Sequence, residues 1–156
     1  LIASLNHLGE AHQMPLVFSA HPRTLKRIEE RGLAMDSHVR IMKPLGFFDY
    51  NQLQLSAYCV VSDSGTIFEE SSILGFPAVT IRNAHERPEG VDAGTLVMTG
   101  LKKELMDHAI RVVAGDFAAG YRPRLIPDYD VDDVSKKVLR IIMGYTRYVK
   151  RVVWRV

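Results

Sequence analysis

An α/β fold of Rossmann-like type, a parallel sheet with helices on both faces, is predicted by three features of the sequence. Five short apolar runs recur along the chain, separated by turns and by segments of helical periodicity. The separations leave about ten residues or more for a crossover, which parallel pairing requires and hairpins do not. The third run, residues 58–62, is apolar at Tyr58, Cys59, Val60 and Val61 alike, as in a central parallel strand covered on both faces.

Residues 1–13 place Leu1, Leu5 and Leu8 near helical spacing and predict an amphipathic helix. After Pro15, residues 16–20 read as the first strand, and His21-Pro22-Arg23-Thr24 turns the chain into a helix over 25–31 that Gly32 stops. Residues 39–42 are a short second strand ended by Pro44. The stretch 45–50, from Leu45 through Phe47 and Phe48 to Tyr50, reads as an aromatic-rich loop, followed by one or two helical turns over 51–57. After the third strand, Asp63-Ser64-Gly65 opens a helix that runs to Leu74 and stops at Gly75, with Ile67, Ile73 and Leu74 facing the core. Residues 77–81 form a fourth strand, 82–89 a polar loop, and 95–98 a fifth strand. A helix over 102–114 turns Leu105, Ala109, Val112 and Val113 inward. A Pro- and Gly-bearing connection over 115–127 leads to one or two helices in 131–156, with a break at Gly144.

A chain of 156 residues with 47% apolar content suffices for one well-cored domain over 1–156. Charged residues make up 24% and leave a net charge of +2, which argues against a nucleic-acid partner. The pI near 8.8 rests on few excess bases, several of them between Arg147 and Arg155. A single cysteine, Cys59, inside an apolar run, reads as a buried and inert thiol. Without a disulfide framework, a reducing cytoplasm is the expected location. No apolar run has the length of a membrane span and no signal peptide is visible, so no membrane partner is expected. The chain opens directly in a helical pattern without an initiator methionine, which reads as part of a longer protein.

In such folds ligands bind beyond the carboxyl ends of the strands, and the polar residues of interest fall there. Asp63-Ser64-Gly65-Thr66 joins a strand to a helix whose first N–H groups have no intrahelical partner. Those donors and the helix dipole favour an anion, Gly65 lets a phosphate reach the backbone, and the hydroxyls of Ser64 and Thr66 add donors. The plain alternative is a helix cap at Ser64 or Asp63. Glu70 shares a face with Thr66 at i, i+4 spacing, where a carboxylate can accept from ribose hydroxyls or simply face solvent. Arg87, in His85-Glu86-Arg87-Pro88, can clamp a diphosphate in bidentate fashion. Tyr50 can stack on a base, whereas at least one of Phe47 and Phe48 is assigned to the core. His21 and Arg23 either reach the same cleft or serve the start of their helix. His7, His12, His38 and His108 read as surface or boundary histidines.

His85-Glu86 lacks the second histidine of H-E-x-x-H, so no metal is expected. Neither G-x-G-x-x-G after the first strand nor a P-loop is present, and no cofactor is expected. The nucleophile elbow G-x-S-x-G is also missing.

Ser62-Asp63-Ser64-Gly65, Glu69-Glu70, Gly75-Phe76-Pro77, Glu86-Arg87-Pro88-Glu89 and Ala93-Gly94-Thr95 resemble, in order and spacing, the C-terminal domain of the non-hydrolysing UDP-N-acetylglucosamine 2-epimerase family. Weaker similarity reaches back through Lys43-Pro44-Leu45 and on to the C-terminus. The resemblance implies one half of a glycosyltransferase-B type fold, with a UDP-sugar bound between two Rossmann-like halves. It implies that Ser64, Gly65 and Thr66 hold the diphosphate of UDP or a UDP-N-acetyl-hexosamine, Glu70 the ribose and Arg87 a phosphate, while Leu45 and Tyr50 flank the uracil. It further implies inversion at C2 by elimination of UDP to a 2-acetamidoglucal and re-addition, with the acid and base carboxylates in an N-terminal domain. On that reading these residues bind substrate but carry no catalysis of their own, and residues 1–14 and 145–156 are helices that pack on the N-terminal domain of a protein that can be a homodimer. Thr66 stands where the commonest pattern has a second glycine, Ser71-Ser72 where it has Ala-Pro, and Ala84-His85 where it has a Thr-Thr pair. These departures, with the segment from Tyr145 to Trp154, resemble the UDP-N-acetyl-L-fucosamine synthase branch, a UDP-6-deoxy-L-talosamine-type 2-epimerase. Two other readings stay open at this point: the donor-binding half of a UDP-sugar glycosyltransferase, and a non-catalytic nucleotide-sugar-binding module.

Overall fold

A computed structural model describes residues 1–156. Leu1–Ile126 form one compact unit and Pro127–Val156 a second. In the first unit the order is α1 (Ile2–His12), β1 (Leu16–Ser19), α2 (Pro22–Glu30), β2 (Val39–Met42), α3 (Phe47–Leu55), β3 (Val60–Ser62), α4 (Ile67–Leu74), β4 (Ala78–Thr80), α5 (Pro88–Asp92), β5 (Val97–Met98) and α6 (Lys103–Ala118). The second unit holds α7 (Val134–Val149), continued by a π-helical turn over Lys150–Trp154.

All strand pairs are parallel, as the crossover spacing requires. They hydrogen-bond as two ladders, β1 with β2 and β3-β4-β5, where the sequence reading has a single sheet. The strands are two to four residues long, and β3 bonds only on its β4 side. The central, fully buried strand of the larger ladder is accordingly β4, and the apolar run 58–62 supplies a half-buried edge.

One core joins these pieces. Leu8 of α1, Val79 of β4, and Met106, Ala109 and Ile110 of α6 form a buried cluster, against which Leu16, Cys59, Val61, Ile81 and Val113 pack. The large members, Leu8, Val79, Met106 and Ile110, contribute about 1.5–3 kcal/mol each by leaving water. Helices α1 and α6 therefore pack over residues from both ladders. Ser4 Oγ donates to the Leu101 carbonyl at 3.0 Å and ties α1 to the segment leading into α6.

Several expectations are corrected by packing. Helix α3 starts at Phe47, so Phe47, Phe48 and Tyr50 lie on a helix and not in a loop, and both phenylalanines are exposed, at 75% and 84%. On α4 the inward residues are Ile67, Phe68 and Ser71, while Ile73 and Leu74 are exposed, because a two-turn helix presents one short stripe to β4. On α6 the stripe runs through Met106, Ala109, Ile110 and Ala114. Leu105 and Val112 fall outside it, and the helix continues past Ala114 to Ala118. Helix α7 passes through Gly144 unbroken, since one glycine costs only about 1 kcal/mol in a helix. The stop at Gly75 is as expected: its φ of 71° is the left-handed cap geometry that glycine adopts without penalty.

Candidate nucleotide-sugar site

The turn between β3 and α4 is built by short side chains. Ser62 Oγ accepts from the Ser64 N–H at 3.1 Å, Ser64 Oγ accepts from the Thr66 N–H at 3.3 Å, and the Ser64 and Thr66 hydroxyls are 2.8 Å apart. Thr66 occupies the N-cap position and makes no side-chain cap bond. Ser64 thus bonds the N–H of Thr66 ahead of α4, and the opening N–H groups of the helix itself keep their donor capacity.

Glu70 is fixed from two sides. Its Oε1 accepts from the Thr66 hydroxyl at 2.6 Å, and its Oε2 accepts from Gln54 Nε2 at 2.8 Å. Gln54 is buried on α3, and its Oε1 has no partner. Tyr50, one helical turn earlier on α3, is half-buried. Burial raises its phenol above 10.0, and the charges of Glu70 and Asp63 push the same way. The phenol thus remains a donor at neutral pH, close to both carboxylates. Leu45 is half-buried in the loop ahead of α3.

Arg87 precedes α5, with Pro88 in its first turn. Its Nε donates to Glu69 Oε1 at 2.5 Å, and its Nη1 lies 3.8 Å from Glu86. Arg82, just beyond β4, donates from Nη2 to Glu86 Oε1 at 2.9 Å. Both guanidinium groups converge on Gly65: a Cβ built there would lie 3.0 Å from Nη1 of Arg82 and 3.0 Å from Nη1 of Arg87. The glycine is thus required by close approach of two cations at the start of α4. Gly90 of α5 has a comparable role, since a Cβ there would lie 2.5 Å from the Phe68 ring. The absent side chain lets α5 settle on α4 and brings Arg87 to Gly65.

Ser64, Gly65, Thr66, Glu70, Arg87 and Tyr50 are thereby gathered in one region, as the strand-edge argument expects. His21 and Arg23 are not drawn in: His21 Nδ1 accepts from the Arg23 N–H at 3.2 Å and caps α2 ahead of Pro22, and both side chains are exposed. Sequence reasoning missed Arg82 and Gln54, and it singled out Glu70 of the Glu69-Glu70 pair without foreseeing that Glu69 holds Arg87. Arg82 stands at the same strand edge as Asp63 and was legible by position. Gln54 left a weaker signal, a polar residue on the side of α3 that packs inward. Ser71 and Ser72 have backbone roles, bonding the Phe76 carbonyl at 2.8 Å and the Ile126 N–H at 3.1 Å. The His85 ring lies 6.4 Å from Phe68, with its buried Nδ1 unpartnered.

No group of three or more His, Cys, Asp or Glu side chains is arranged to hold a metal ion, and no helix is long and apolar enough to cross a membrane. The arrangement can hold a polyanion: the opening N–H groups of α4 and two arginines meet at Gly65, with an anchored carboxylate one turn away.

Residues 1–143 match the family described as UDP-N-acetylglucosamine 2-epimerase. The UDP-N-acetylglucosamine 2-epimerase of Methanocaldococcus jannaschii is 31% identical over 117 residues, covering 72% of this chain and 32% of that protein. The structure of UDP-N-acetylglucosamine 2-epimerase from Rickettsia bellii superposes with a TM-score of 0.79 at 43% identity, over 99% of this chain and 43% of that one. The M. jannaschii enzyme in complex with UDP-GlcNAc and UDP gives a TM-score of 0.76 at 26% identity, over 92% and 39%. The chain spans about a third of the length of the curated relative it matches.

Proposed function

This chain belongs to the UDP-N-acetylglucosamine 2-epimerase family, and from that premise we propose that it is the UDP-holding, C-terminal half of an enzyme that inverts C2 of a UDP-2-acetamido sugar. The observation that carries the reading is the convergence of Arg87 and Arg82 on Gly65 at the start of α4, with Glu70 anchored one turn on. The N–H groups of α4 and Arg87 take the diphosphate, Glu70 takes ribose hydroxyls through lone pairs its two anchors leave open, and Tyr50 and Leu45 flank the base.

In the reaction so proposed, a base removes the C2 proton, the C1–C2 double bond forms, and the C1–oxygen bond breaks with its electron pair passing to UDP. Return of UDP to C1 and of a proton to the opposite face of C2 completes the inversion. Residues of this chain stabilise the charge that grows on the departing diphosphate, a preorganised electrostatic role. The proton transfers fall to carboxylates of an N-terminal domain, against which residues 1–14 and 145–156 pack. Family membership favours this reading over a glycosyltransferase donor site. Thr66, Ser71-Ser72 and Ala84-His85 support the finer assignment to the UDP-N-acetyl-L-fucosamine synthase branch.

Calorimetric titration of the 156-residue chain with UDP tests the site. Arg87→Ala and Glu70→Ala are each expected to weaken UDP by about ten-fold or more; affinity unchanged in both sinks the assignment.

A further inference from the structure

We propose that Arg82 is a second diphosphate-binding cation of this site, and that Glu86 competes with the ligand for it, so that the anion binds and leaves by exchange of one ion pair for another. The inference rests on the UDP reading above.

Arg82 follows β4 as Asp63-Ser64-Gly65 follows β3, so parallel pairing brings both to one edge of the ladder. Its Nη1 stands as close to the Cβ position of Gly65 as that of Arg87. Two guanidinium cations aimed at one point repel, and each is held there by a carboxylate. The two holders differ. Glu69 is part-buried on α4 and bonds the Nε of Arg87, which leaves the Nη1 edge directed at Gly65. Glu86 is 71% exposed and pairs with Arg82 at i, i+4 spacing, where solvent makes the bond weak. The same carboxylate also lies 3.8 Å from Arg87 Nη1, so it spans both cations. A diphosphate offers more anionic oxygens than one carboxylate and suits bidentate guanidinium pairing. Its arrival at Gly65 displaces Glu86 into water at little cost, and Glu86 returns to the arginines when the anion departs. Arg82 also lines an open groove of about 300 Å³ with Asn83, Thr99, Gly100 and Lys102, which leaves room beside it for a ligand.

The test titrates UDP and uridine separately into the 156-residue chain and its variants, with thermal melts as the folding control. Arg82→Ala is expected to weaken UDP by about ten-fold or more while leaving uridine unchanged, and Arg82→Lys to recover part of the loss. Glu86→Gln is expected to tighten UDP by about two- to five-fold at low salt, with the gain shrinking as salt is added. Unchanged UDP affinity in Arg82→Ala, with Arg87→Ala still impaired, overturns the role of Arg82 and leaves the UDP site standing. No UDP binding by the wild-type chain overturns both. A failure of Glu86→Gln to tighten UDP overturns the exchange. Equal loss of UDP and uridine in both Arg82 variants assigns Arg82 a structural role and overturns the proposal.

Discussion

Arg87 Nε lies 2.5 Å from Glu69 Oε1, a side-chain bond closed across 18 positions of sequence. It joins the start of α5 to α4 and sets the direction of the guanidinium at Gly65. The adjacent Glu70 points elsewhere, to Thr66 and Gln54. Consecutive residues on a helix diverge by about 100°, so the two neighbouring carboxylates have separate partners: Glu69 holds Arg87, and Glu70 holds Thr66 and Gln54.

Removing Glu69 takes from the part-buried guanidinium of Arg87 the carboxylate bonded to its Nε. Glu69→Ala is therefore expected to destabilise the chain by about 1–3 kcal/mol. Urea melts of Glu69→Ala, Arg87→Ala and the double variant check this, since coupled residues lose less together than the two single losses imply. Strict additivity means the bond contributes nothing.

The class of fold was legible because strand spacing forces parallel pairing, and the strand-edge rule picks out Ser64, Gly65, Glu70 and Arg87, which the fold brings near one another. What escaped depends on contacts between distant segments. Gln54 approaches Glu70 only after α3 packs near α4, and no local pattern encodes that meeting. The buried stripe of α6 is not legible, because Leu105, Met106, Ala109, Ile110, Val112 and Val113 are all apolar and periodicity alone does not pick the face. Arg82 follows β4 as Asp63 follows β3, so its position carries the same signal.

Acid should loosen the packing of α1 on α6. Burial raises the Asp107 carboxyl, but hydrogen bonds and charge from Arg111, and then from His12 at 2.8 Å, outweigh it and leave the carboxyl below its ordinary 3.8. A carboxyl held lower in the folded than in the unfolded chain gives its full stabilisation above 3.8 and loses it as pH falls through the folded value. Asp107→Asn should cost less than about 1 kcal/mol near neutrality, as part-exposed pairs do, and should flatten the decline of stability in acid. Urea midpoints followed down through that range would refute this if wild type and variant fell in parallel.

Cys59 should be inert in the native chain. Burial pushes its thiol up to about 12, only partly offset by a backbone hydrogen bond from Val60. At pH near 8 almost none of it is thiolate, the form that attacks disulfide reagents. Reaction with a chromogenic disulfide should be slow in buffer and stoichiometric in denaturant. Rapid native labelling would mean that the segment leading into β3 opens readily.

Two glycines separate binding from folding. At Gly65 a methyl group meets Nη1 of Arg82 and Arg87 at 3.0 Å, and these are the ends of flexible side chains that can withdraw. Gly65→Ala should therefore change stability by less than about 1 kcal/mol yet weaken UDP by about ten-fold, because it displaces both cations and blocks the approach to the helix start. At Gly90 the methyl group meets the Phe68 ring at 2.5 Å, and Phe68 is 1% exposed with nowhere to move. Gly90→Ala should cost about 1–3 kcal/mol by overpacking and lower UDP affinity through the shift of α5 that carries Arg87. Thermal melts paired with UDP titrations of the two variants decide the matter. A stability loss in Gly65→Ala as large as that in Gly90→Ala would mean that Gly65 serves the fold and not the anion.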